Sequence, residues 1–389
     1  MNALASHLPR VRVPWVALGT WPTPLTELAL DGGSLWIKHE GEAHPRYGGN
    51  KVRTLEAWLG HVRDMGARRI WAIGAYGSNH AVATVIHAPA AGLDAGAMVF
   101  PQPYSPWAAE NCGALVASGC PLIRLASVVQ VPFAAWRLAR REPDAVVMPP
   151  GGATPVGTFG ALSAAFEIAD QIAAHVAPPP RRIVLAVGSI CTAAGLLAGL
   201  ALAQAVGVWR WPVPIVHGVR VTPWPVTSRV RTADLARRTL IRVEQLGGPR
   251  VAITLRELVR RLVIDGRELG RGYGRATPQS DAAMLELGAL EARSLADAAR
   301  STAADATAPA GAHADAGDAA TRDRPALHVP RLDGVYSAKA AAALLRLHRA
   351  GVGPLLFWSS KSTATLAPPT PAAIDRAPPA IARWLRREA

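Results

Sequence analysis

Cysteine is scarce in this sequence. Only Cys112, Cys120 and Cys191 occur among 389 residues, and neither their odd number nor their spacing matches a disulfide framework or a metal site. Residues 1–15 also lack the long apolar run that a secretory signal requires. These absences predict a cytoplasmic protein without a bound metal. Half of the residues are apolar, which is enough for a large core.

The sequence also lacks any pattern of nucleic-acid recognition, although its formal net charge is +14. The basic residues are scattered along the chain, and no recognition-helix or zinc-finger pattern accompanies them. We therefore expect solvated faces that attract small anions, and no nucleic-acid partner. Nucleic-acid binding is kept as an alternative, and affinity that falls steeply with salt would be its signature.

One stretch without charge, residues 183–209, resembles a membrane span in its length. It begins with the apolar run IVLAV, turns at Gly188 and Ser189, and resumes as an alanine- and leucine-rich helical pattern. We interpret the stretch as a buried strand, a loop and a buried helix. No membrane association is expected.

Short apolar runs alternate with helical patterns from residue 71 onward. Strands are expected at 71–75, 95–100, 121–126, 145–150, 214–221 and 354–360. This alternation predicts an α/β fold in which parallel strands carry helices on both faces. Residues 296–326 differ, because alanine, aspartate and threonine replace large apolar residues there, and we expect a flexible, exposed insertion.

The most informative motif is YGGNKVR, from Tyr47 to Arg53. Two glycines and Asn50 precede Lys51, which stands at the start of a helical pattern. Glycines let the backbone approach a ligand closely. Burial against a flat ligand would lower the pKa of Lys51 and free its amine to attack a carbonyl, such as that of pyridoxal phosphate. Taken alone, the motif is better explained by a solvated lysine at a helix start.

Two strand-to-helix loops carry small polar residues. One contains Ser78, Asn79 and His80, and the other runs from Gly188 to Thr192. A helix N-terminus offers free N–H groups and a partial positive charge, so the first loop suits a carboxylate and the second a phosphate. Each loop could instead be an ordinary capped turn. The second loop is neither a Walker loop nor a dinucleotide fingerprint.

A third group of candidate residues lies late in the chain. Tyr273 stands between two glycines, Tyr336 and Ser337 open a helical pattern, and Ser360 ends the last strand pattern. A tyrosine can stack on a ring or move a proton, and a serine at a strand end can hydrogen-bond a pyridine nitrogen. Considered singly, each of these residues is more readily explained as structural.

Read in order, these motifs resemble those of the pyridoxal phosphate (PLP)-dependent D-cysteine desulfhydrase and 1-aminocyclopropane-1-carboxylate (ACC) deaminase family. The resemblance runs from about residue 20 to 366 and omits the 296–326 insertion. It implies a two-lobed α/β fold of the tryptophan synthase β type (fold type II), with parallel twisted sheets flanked by helices. We expect a small α/β domain at 54–160, a large PLP-binding domain at 1–53 plus 161–389, and a homodimer.

The resemblance also implies a role for each motif. Lys51 would hold PLP and then act as the base, with Ser78, Tyr273 and Tyr336 as further catalytic residues. The substrate, a small amino acid, would contact Ser78, Asn79, His80, Tyr336 and Ser337. The cofactor would contact Lys51, Asn50, Asn79, Gly188, Ser189, Ile190, Cys191, Thr192 and Ser360.

Two hydroxyl residues bear on the choice of activity within the family. ACC deaminases carry a glutamate after the second tyrosine and an aliphatic residue in the last strand, whereas this chain has Ser337 and Ser360, as the desulfhydrases do. The prediction is a lyase that performs α,β-elimination to a 2-oxo acid and ammonia. The alternatives are an ACC deaminase, an amino-acid racemase, a β-replacing synthase and a catalytically silent PLP-binding homologue.

Three departures from the family pattern put the substrate in doubt more than the cofactor. The glycine-rich phosphate loop G-S-G-G-T has Ile190 and Cys191 in place of two glycines, so the cradle could differ in width. Gly77 stands where the family often has a glutamine. Lys361 adds a charge next to Ser360.

Overall fold

A computed structural model describes residues 2–30, 33–307 and 329–388 of the chain. Its strands are β1 (Leu25–Leu30), β2 (Gly33–His39), β3 (Arg69–Ala75), β4 (Asp94–Phe100), β5 (Leu122–Arg124), β6 (Ala145–Met148), β7 (Arg182–Val187), β8 (Ile215–Arg220), β9 (Leu262–Asp265) and β10 (Leu355–Ser359). Its helices are α1 (Ala3–His7), α2 (Asn50–Asp64), α3 (Asn79–His87), α4 (Pro106–Ala117), α5 (Val131–Arg141), α6 (Phe159–Ala173), α7 (Cys191–Ala205), α8 (Arg229–Gln245), α9 (Leu255–Arg260), α10 (Pro278–Thr307), α11 (Ser337–Arg349), α12 (Pro371–Arg376) and α13 (Pro379–Leu385).

A four-stranded sheet contains β3 to β6, in the order β5-β4-β3-β6. Every pairing in it is parallel, and Arg69 at the start of β3 lies opposite both Asp94 and Ala145. The central strand β3 is buried almost throughout, which explains its continuous apolar sequence, because helices cover both faces of a parallel sheet. The predicted α/β fold is confirmed.

A six-stranded sheet has the order β1-β2-β10-β7-β8-β9. Its pairs are parallel except for β1 and β2, which run antiparallel at one edge, with Leu25 opposite Lys38. The strand pattern from residue 71 onward did not include this pair. Only a short connection separates β1 from β2, and antiparallel neighbours, unlike parallel ones, need no crossover helix.

The uncharged stretch 183–209 forms β7 and the buried helix α7, as expected from its pattern. Its glycines serve helix packing: a Cβ on Gly195 would lie 2.5 Å from the backbone oxygen of Thr158, and one on Gly199 would overlap the backbone of Leu162. The small residues therefore let α7 approach α6 closely. Within the described ranges, no helix is both long enough and apolar enough to cross a bilayer.

The expected insertion at 296–326 overlaps the C-terminal part of α10, which continues to Thr307. Helix, and not irregular chain, is therefore found at 296–307. Residues 308–326 lie outside the described residues.

Candidate active site

A cavity of about 370 Å³ lies at the carboxyl ends of strands from both sheets. Ile73 and Phe100 come from the ends of β3 and β4, and Thr222 and Ser360 follow β8 and β10. Ligands of parallel α/β proteins collect at this edge of a sheet. The structure brings these predicted site residues to the cavity wall: Asn50, Lys51, Ser78, Asn79, His80, Gly188, Ser189, Ile190, Cys191, Thr192, Tyr273, Tyr336 and Ser360.

Lys51 lies in the first turn of α2, where the backbone passes close to the end of β10. Gly49 has a φ of +92°, and a Cβ there would lie 2.7 Å from the backbone oxygen of Ser360. The position therefore requires glycine for both conformation and space. The Asn50 amide donates a hydrogen bond to Thr192 Oγ1 at 2.9 Å, which ties the start of α2 to the start of α7.

The Lys51 amine is buried, and its burial lowers the pKa, with the Cys191 thiol acting weakly in the opposite direction. No carboxylate of the described residues lines the cavity, so no acidic side chain there forms an ion pair with a charged ammonium. A Cβ on Gly151 would lie 3.8 Å from Lys51 Nζ. Burial therefore favours the uncharged form of the amine, which is the form that attacks a carbonyl or removes a proton.

An ionic network fixes α2 two residues beyond Lys51. Arg53 Nε donates to Glu40 Oε2 at 2.6 Å and Arg53 Nη1 donates to Glu167 Oε2 at 3.0 Å. Lys38 Nζ donates to Glu167 Oε1 at 2.5 Å. Burial alone would raise the pKa of Glu167, but Arg53 and then Lys38 outweigh it and lower the pKa to about 2. The network joins β2, α2 and α6, and no motif in the sequence indicates its presence.

The turn from Gly188 to Thr192 leads from β7 into α7. Ile190 has a φ of +65°, a conformation that a β-branched residue rarely adopts. Thr222 and Thr227 hold the turn, because both hydroxyls donate to the backbone oxygen of Gly188, at 3.0 and 2.7 Å. Ile190 thus has the left-handed conformation that glycine adopts readily. The N-terminus of α7 faces the cavity with N–H groups of the kind that suit an anion.

Cys191 in this turn is a packed residue, as expected. Its Sγ donates to the backbone oxygen of Gly152 at 3.5 Å, and burial raises the pKa of the thiol to about 11. The thiol therefore stays neutral at pH 7.

Ser78 and His80 surround the N-terminus of α3. Ser78 caps the helix, because its hydroxyl accepts a hydrogen bond from the backbone N–H of Ala81 at 3.2 Å. Neither ring nitrogen of His80 has a hydrogen-bond partner among the described residues. Burial, and then the nearby Lys51, lower the pKa of His80 to about 3. The imidazole is therefore neutral, with one nitrogen as a donor and one as an acceptor, and both nitrogens are buried without a partner in the described part of the chain.

The side chain of Asn79 is oriented by three donors. Its Oδ1 accepts from the Tyr47 hydroxyl at 2.8 Å, from Asn111 Nδ2 at 2.9 Å and from Lys361 Nζ at 3.4 Å. Because the oxygen is satisfied within the protein, the NH₂ group is left to donate to a ligand in the cavity. Tyr47 belongs to a motif noticed in the sequence, but nothing in the sequence indicates that Asn111 lies beside it.

Lys361 is directed away from the cavity, which it does not line. Its side chain is buried, with Nζ 3.8 Å from Glu110 Oε2. Burial lowers the pKa of Lys361, whereas Asp333 and Glu110 raise it. The expected charge next to Ser360 is thus placed behind Asn79 and balanced by carboxylates. Ser360 itself lines the cavity.

Tyr273 and Tyr336 come together although 63 residues separate them, with their hydroxyl oxygens 2.5 Å apart. Burial raises the pKa of Tyr273 to about 12 and raises the pKa of Tyr336 well above its ordinary value. Both hydroxyls therefore stay protonated at neutral pH. A Cβ on Gly188 would lie 3.5 Å from the Tyr336 ring, so this ring borders the anion-binding turn.

Ser337 is the one predicted site residue that the structure does not bring to the cavity wall. Its hydroxyl accepts from the backbone N–H of Asp333 at 2.7 Å and donates to Asp333 Oδ2 at 3.2 Å. The side chain is buried in the turn before α11. Its hydroxyl is therefore used within the protein, contrary to the predicted contact with substrate.

The cavity fits a flat, aldehyde-bearing ligand with a phosphate group. Lys51 supplies a buried amine, and the turn at Gly188 supplies N–H groups for an anion. Gly151, with a φ of +66°, leaves space between Lys51 and Ser189 that a side chain would fill. Ser360 adds a neutral hydroxyl to the cavity lining.

Comparisons with known proteins agree with this geometry. The family model described as "Pyridoxal-phosphate dependent enzyme" matches residues 16–318. The chain is 36% identical over 198 residues to nocardicin C-9′ epimerase of Nocardia uniformis subsp. tsuyamanensis, covering 49% of this chain and 60% of that relative. It is 30% identical over 249 residues to a putative ACC deaminase of Pyrococcus abyssi, covering 61% of this chain and 71% of that relative.

Among solved structures, that of an ACC deaminase homologue matches with a TM-score of 0.65 and 24% sequence identity. The match covers 94% of this chain and 96% of that chain. The likeness therefore extends over nearly the whole of both folds.

Proposed function

Because the chain belongs to the pyridoxal-phosphate dependent enzyme family, we propose that it is a PLP-dependent lyase that performs α,β-elimination on an amino acid. The products are a 2-oxo acid and ammonia. One observation carries the proposal: the buried Lys51 amine shares a cavity with the anion-binding turn at Gly188 and the N-terminus of α3. Because these three elements lie far apart in the sequence, their presence in one cavity points to a common ligand.

The residues around the cavity would each bind a different part of the cofactor. Lys51 would hold its aldehyde carbon, the N–H groups from Gly188 to Thr192 its phosphate, and the Asn79 amide an oxygen on its ring. Ser360 would face the pyridine nitrogen with a neutral hydroxyl. When bound, PLP supplies a sink for the electron pair that is left at the α-carbon after proton removal.

The remaining residues would act on the substrate. The N-terminus of α3 and the neutral ring of His80 would bind its carboxylate, since both offer N–H donors. Lys51, whose pKa is lowered by burial, would remove the α-proton as a neutral base. The hydroxyls of Tyr273 and Tyr336 stay protonated and would supply a proton to the departing group.

The four-stranded sheet supports a small lobe at 54–160, and the six-stranded sheet supports a large lobe built from 1–53 and 161–389. The cavity is lined from both sheets. A substrate in the cavity would therefore contact both proposed lobes.

Epimerisation is a second candidate, and two observations favour it. The relative from Nocardia is named an epimerase, and the Tyr273–Tyr336 pair places protonated hydroxyls in the same cavity as the base. Epimerisation and elimination share the removal of the α-proton by Lys51. They differ in whether a proton returns to the α-carbon or a substituent leaves from the β-carbon. Opening of ACC, the substrate in the name of the Pyrococcus relative, is a third.

The test is to purify the protein with PLP and offer it both enantiomers of cysteine and alanine, as well as ACC, in D₂O. Elimination from cysteine yields pyruvate, ring opening of ACC yields 2-oxobutanoate, and epimerisation yields deuterated alanine of the opposite hand. We expect pyruvate from cysteine. Deuterated, inverted alanine without any 2-oxo acid would replace elimination by epimerisation.

Lys51→Ala tests the base itself. We expect it to lose the absorbance of covalently held cofactor and to slow turnover by about 10²- to 10⁴-fold, the usual effect of losing a general base. Lys339→Met is the matched control, because Lys339 is also buried but donates to the backbone oxygen of Leu269 outside the cavity. Turnover by Lys51→Ala at the rate of the control would refute the proposal.

A further inference from the structure

The cavity has an apolar side that the proposed contacts to PLP and to the substrate carboxylate leave unused. This side consists of Ile73, Phe100, Val128, Pro223 and Val226, and it is called the apolar wall below. Ile73 and Phe100 lie at the carboxyl ends of β3 and β4, Val128 follows β5, and Pro223 and Val226 follow β8. Both sheets therefore contribute to it.

The apolar wall reaches the surface. Val128 is 53% exposed and Val226 is 44% exposed, although both line the cavity. These two residues lie at the mouth, on segments that follow strands of different sheets. Because the apolar wall is open to solvent at these two residues, a side chain that lies along it is not confined to the closed part of the cavity.

Charge is absent from this side of the cavity. Within the described residues, the cavity lining contains no carboxylate or guanidinium, and its basic side chains, Lys51 and His80, lie outside the apolar wall. Lys51 is committed to the cofactor and to the α-proton, and His80 stands at the N-terminus of α3. A charged side chain on the substrate that lies against the apolar wall would therefore lose hydration without gaining a partner. An apolar side chain gains from the same burial.

We infer that the apolar wall receives the side chain of the substrate, and that this enzyme prefers amino acids with an extended apolar side chain over small or charged ones. The inference rests on the proposed function, because it assumes that the α-carbon is placed beside Lys51. It narrows the substrate class within that function, since the small amino acid expected from the sequence would leave the apolar wall uncovered.

The experiment measures binding, without turnover. The PLP-loaded protein is titrated with both enantiomers of alanine, 2-aminobutyrate, norvaline and norleucine, none of which carries a β-leaving group. The change in absorbance of the bound cofactor gives the dissociation constant. We expect that constant to fall about fourfold for each added methylene, the equivalent of ~0.8 kcal/mol per buried CH₂. Aspartate is expected to bind more weakly than alanine.

Two variants of adjacent valines locate the effect. Val128→Asp introduces a charge into the apolar wall, and we expect it to weaken norleucine binding by about tenfold or more while changing alanine binding less than about twofold. Val129→Asp is the matched control, because Val129 is 80% exposed and does not line the cavity. Val226→Ala, in the segment that follows β8 of the other sheet, adds no charge. We expect it to make the dissociation constant depend less on the length of the side chain.

The outcomes separate this inference from the proposed function. Equal affinity for alanine and norleucine would overturn the inference, as would equal affinity for norleucine in the two aspartate variants. The proposed function would still stand in either case, provided that alanine binds. An absorbance that responds to no amino acid at all would overturn both. The inference would be supported if the dissociation constant falls with chain length in the parent protein and in Val129→Asp but not in Val128→Asp. The apolar wall would then be the determinant of specificity.

Discussion

Replacing Gly151 with alanine is the sharpest test of the proposed cofactor site. Gly151 has a φ of +66°, and a Cβ there would overlap both Oγ and Cβ of Ser189 while lying 3.8 Å from Lys51 Nζ. Rotation of the Ser189 hydroxyl could relieve the first contact. It cannot relieve the second, since Cβ is fixed by the backbone, so the anion-binding turn itself must shift.

Gly151→Ala has two expected effects, one on the folding free energy and one on the affinity for PLP. Alanine in the left-handed conformation costs about 1–2 kcal/mol of folding free energy, wherever it stands. Displacing Ser189 removes a hydrogen bond to a charged group, worth about 1.5–3 kcal/mol, if that residue holds the phosphate. This second loss corresponds to a weakening of PLP affinity by roughly 10- to 100-fold.

A matched variant separates the two effects. Gly119 has a φ of +69° and no atom within 4 Å of a Cβ placed on it, so Gly119→Ala carries the backbone cost alone. In urea denaturation of the apo-protein, we expect Gly151→Ala to lose more stability than Gly119→Ala, because relieving the overlap with Ser189 adds to the shared backbone cost. Only Gly151→Ala should bind PLP weakly when the cofactor is titrated and its absorbance followed. PLP affinity in Gly151→Ala equal to that in Gly119→Ala would refute the assignment of the turn as the phosphate site.

Three further predictions follow from the same geometry. Ile190→Gly should be more stable than Ile190→Ala by about 1 kcal/mol in urea denaturation, because both lose the buried side chain but only alanine keeps the left-handed strain; the reverse order would contradict that strain. Glu167→Gln should lower the free energy of unfolding by about 3 kcal/mol. Because the pKa of Glu167 is lowered to about 2 from an ordinary value of 4.5, its stabilising effect is complete above pH 4.5 and lost as the pH falls towards 2, and the variant should lack that slope. Asn111→Leu should weaken PLP binding about fivefold, the value of one hydrogen bond, and more than Lys361→Met, whose bond to Asn79 is longer; equal effects would show that Asn79 is not oriented in this way.

The alternation of strands and helices was predictable because burial on both faces leaves a continuous apolar run. The segment IVLAV is β7, and the uncharged residues after it form α7. The edge pair of β1 and β2 carries no such signal. In β1 only Leu25 and Leu28 are buried, and a short, half-exposed strand looks much like a loop in sequence.

The site was predictable to the extent that its residues form local motifs. Lys51 and the turn at Gly188 sit at strand and helix ends, where chain geometry leaves groups free for ligands. Ser337 occupies a similar place at the start of α11, yet its hydroxyl is used by Asp333. Lys361 follows Ser360 directly, yet its side chain points to Asn79. Tertiary contacts therefore decide which of two adjacent side chains enters the cavity, and no local motif records those contacts.

Ile190 shows why a departure from a family motif need not be a departure in shape. A large residue stands where the family carries glycine, but its φ of +65° is still that of glycine, and its side chain is buried in the core beneath the turn. Burial of that side chain contributes about 2 kcal/mol, enough to offset the cost of the conformation. The altered sequence is thus compatible with a left-handed residue at this point of the turn. If the phosphate site is preserved in this way, a difference in substrate from the desulfhydrases must arise elsewhere in the cavity. Val128 and Val226 at its mouth are where we expect it.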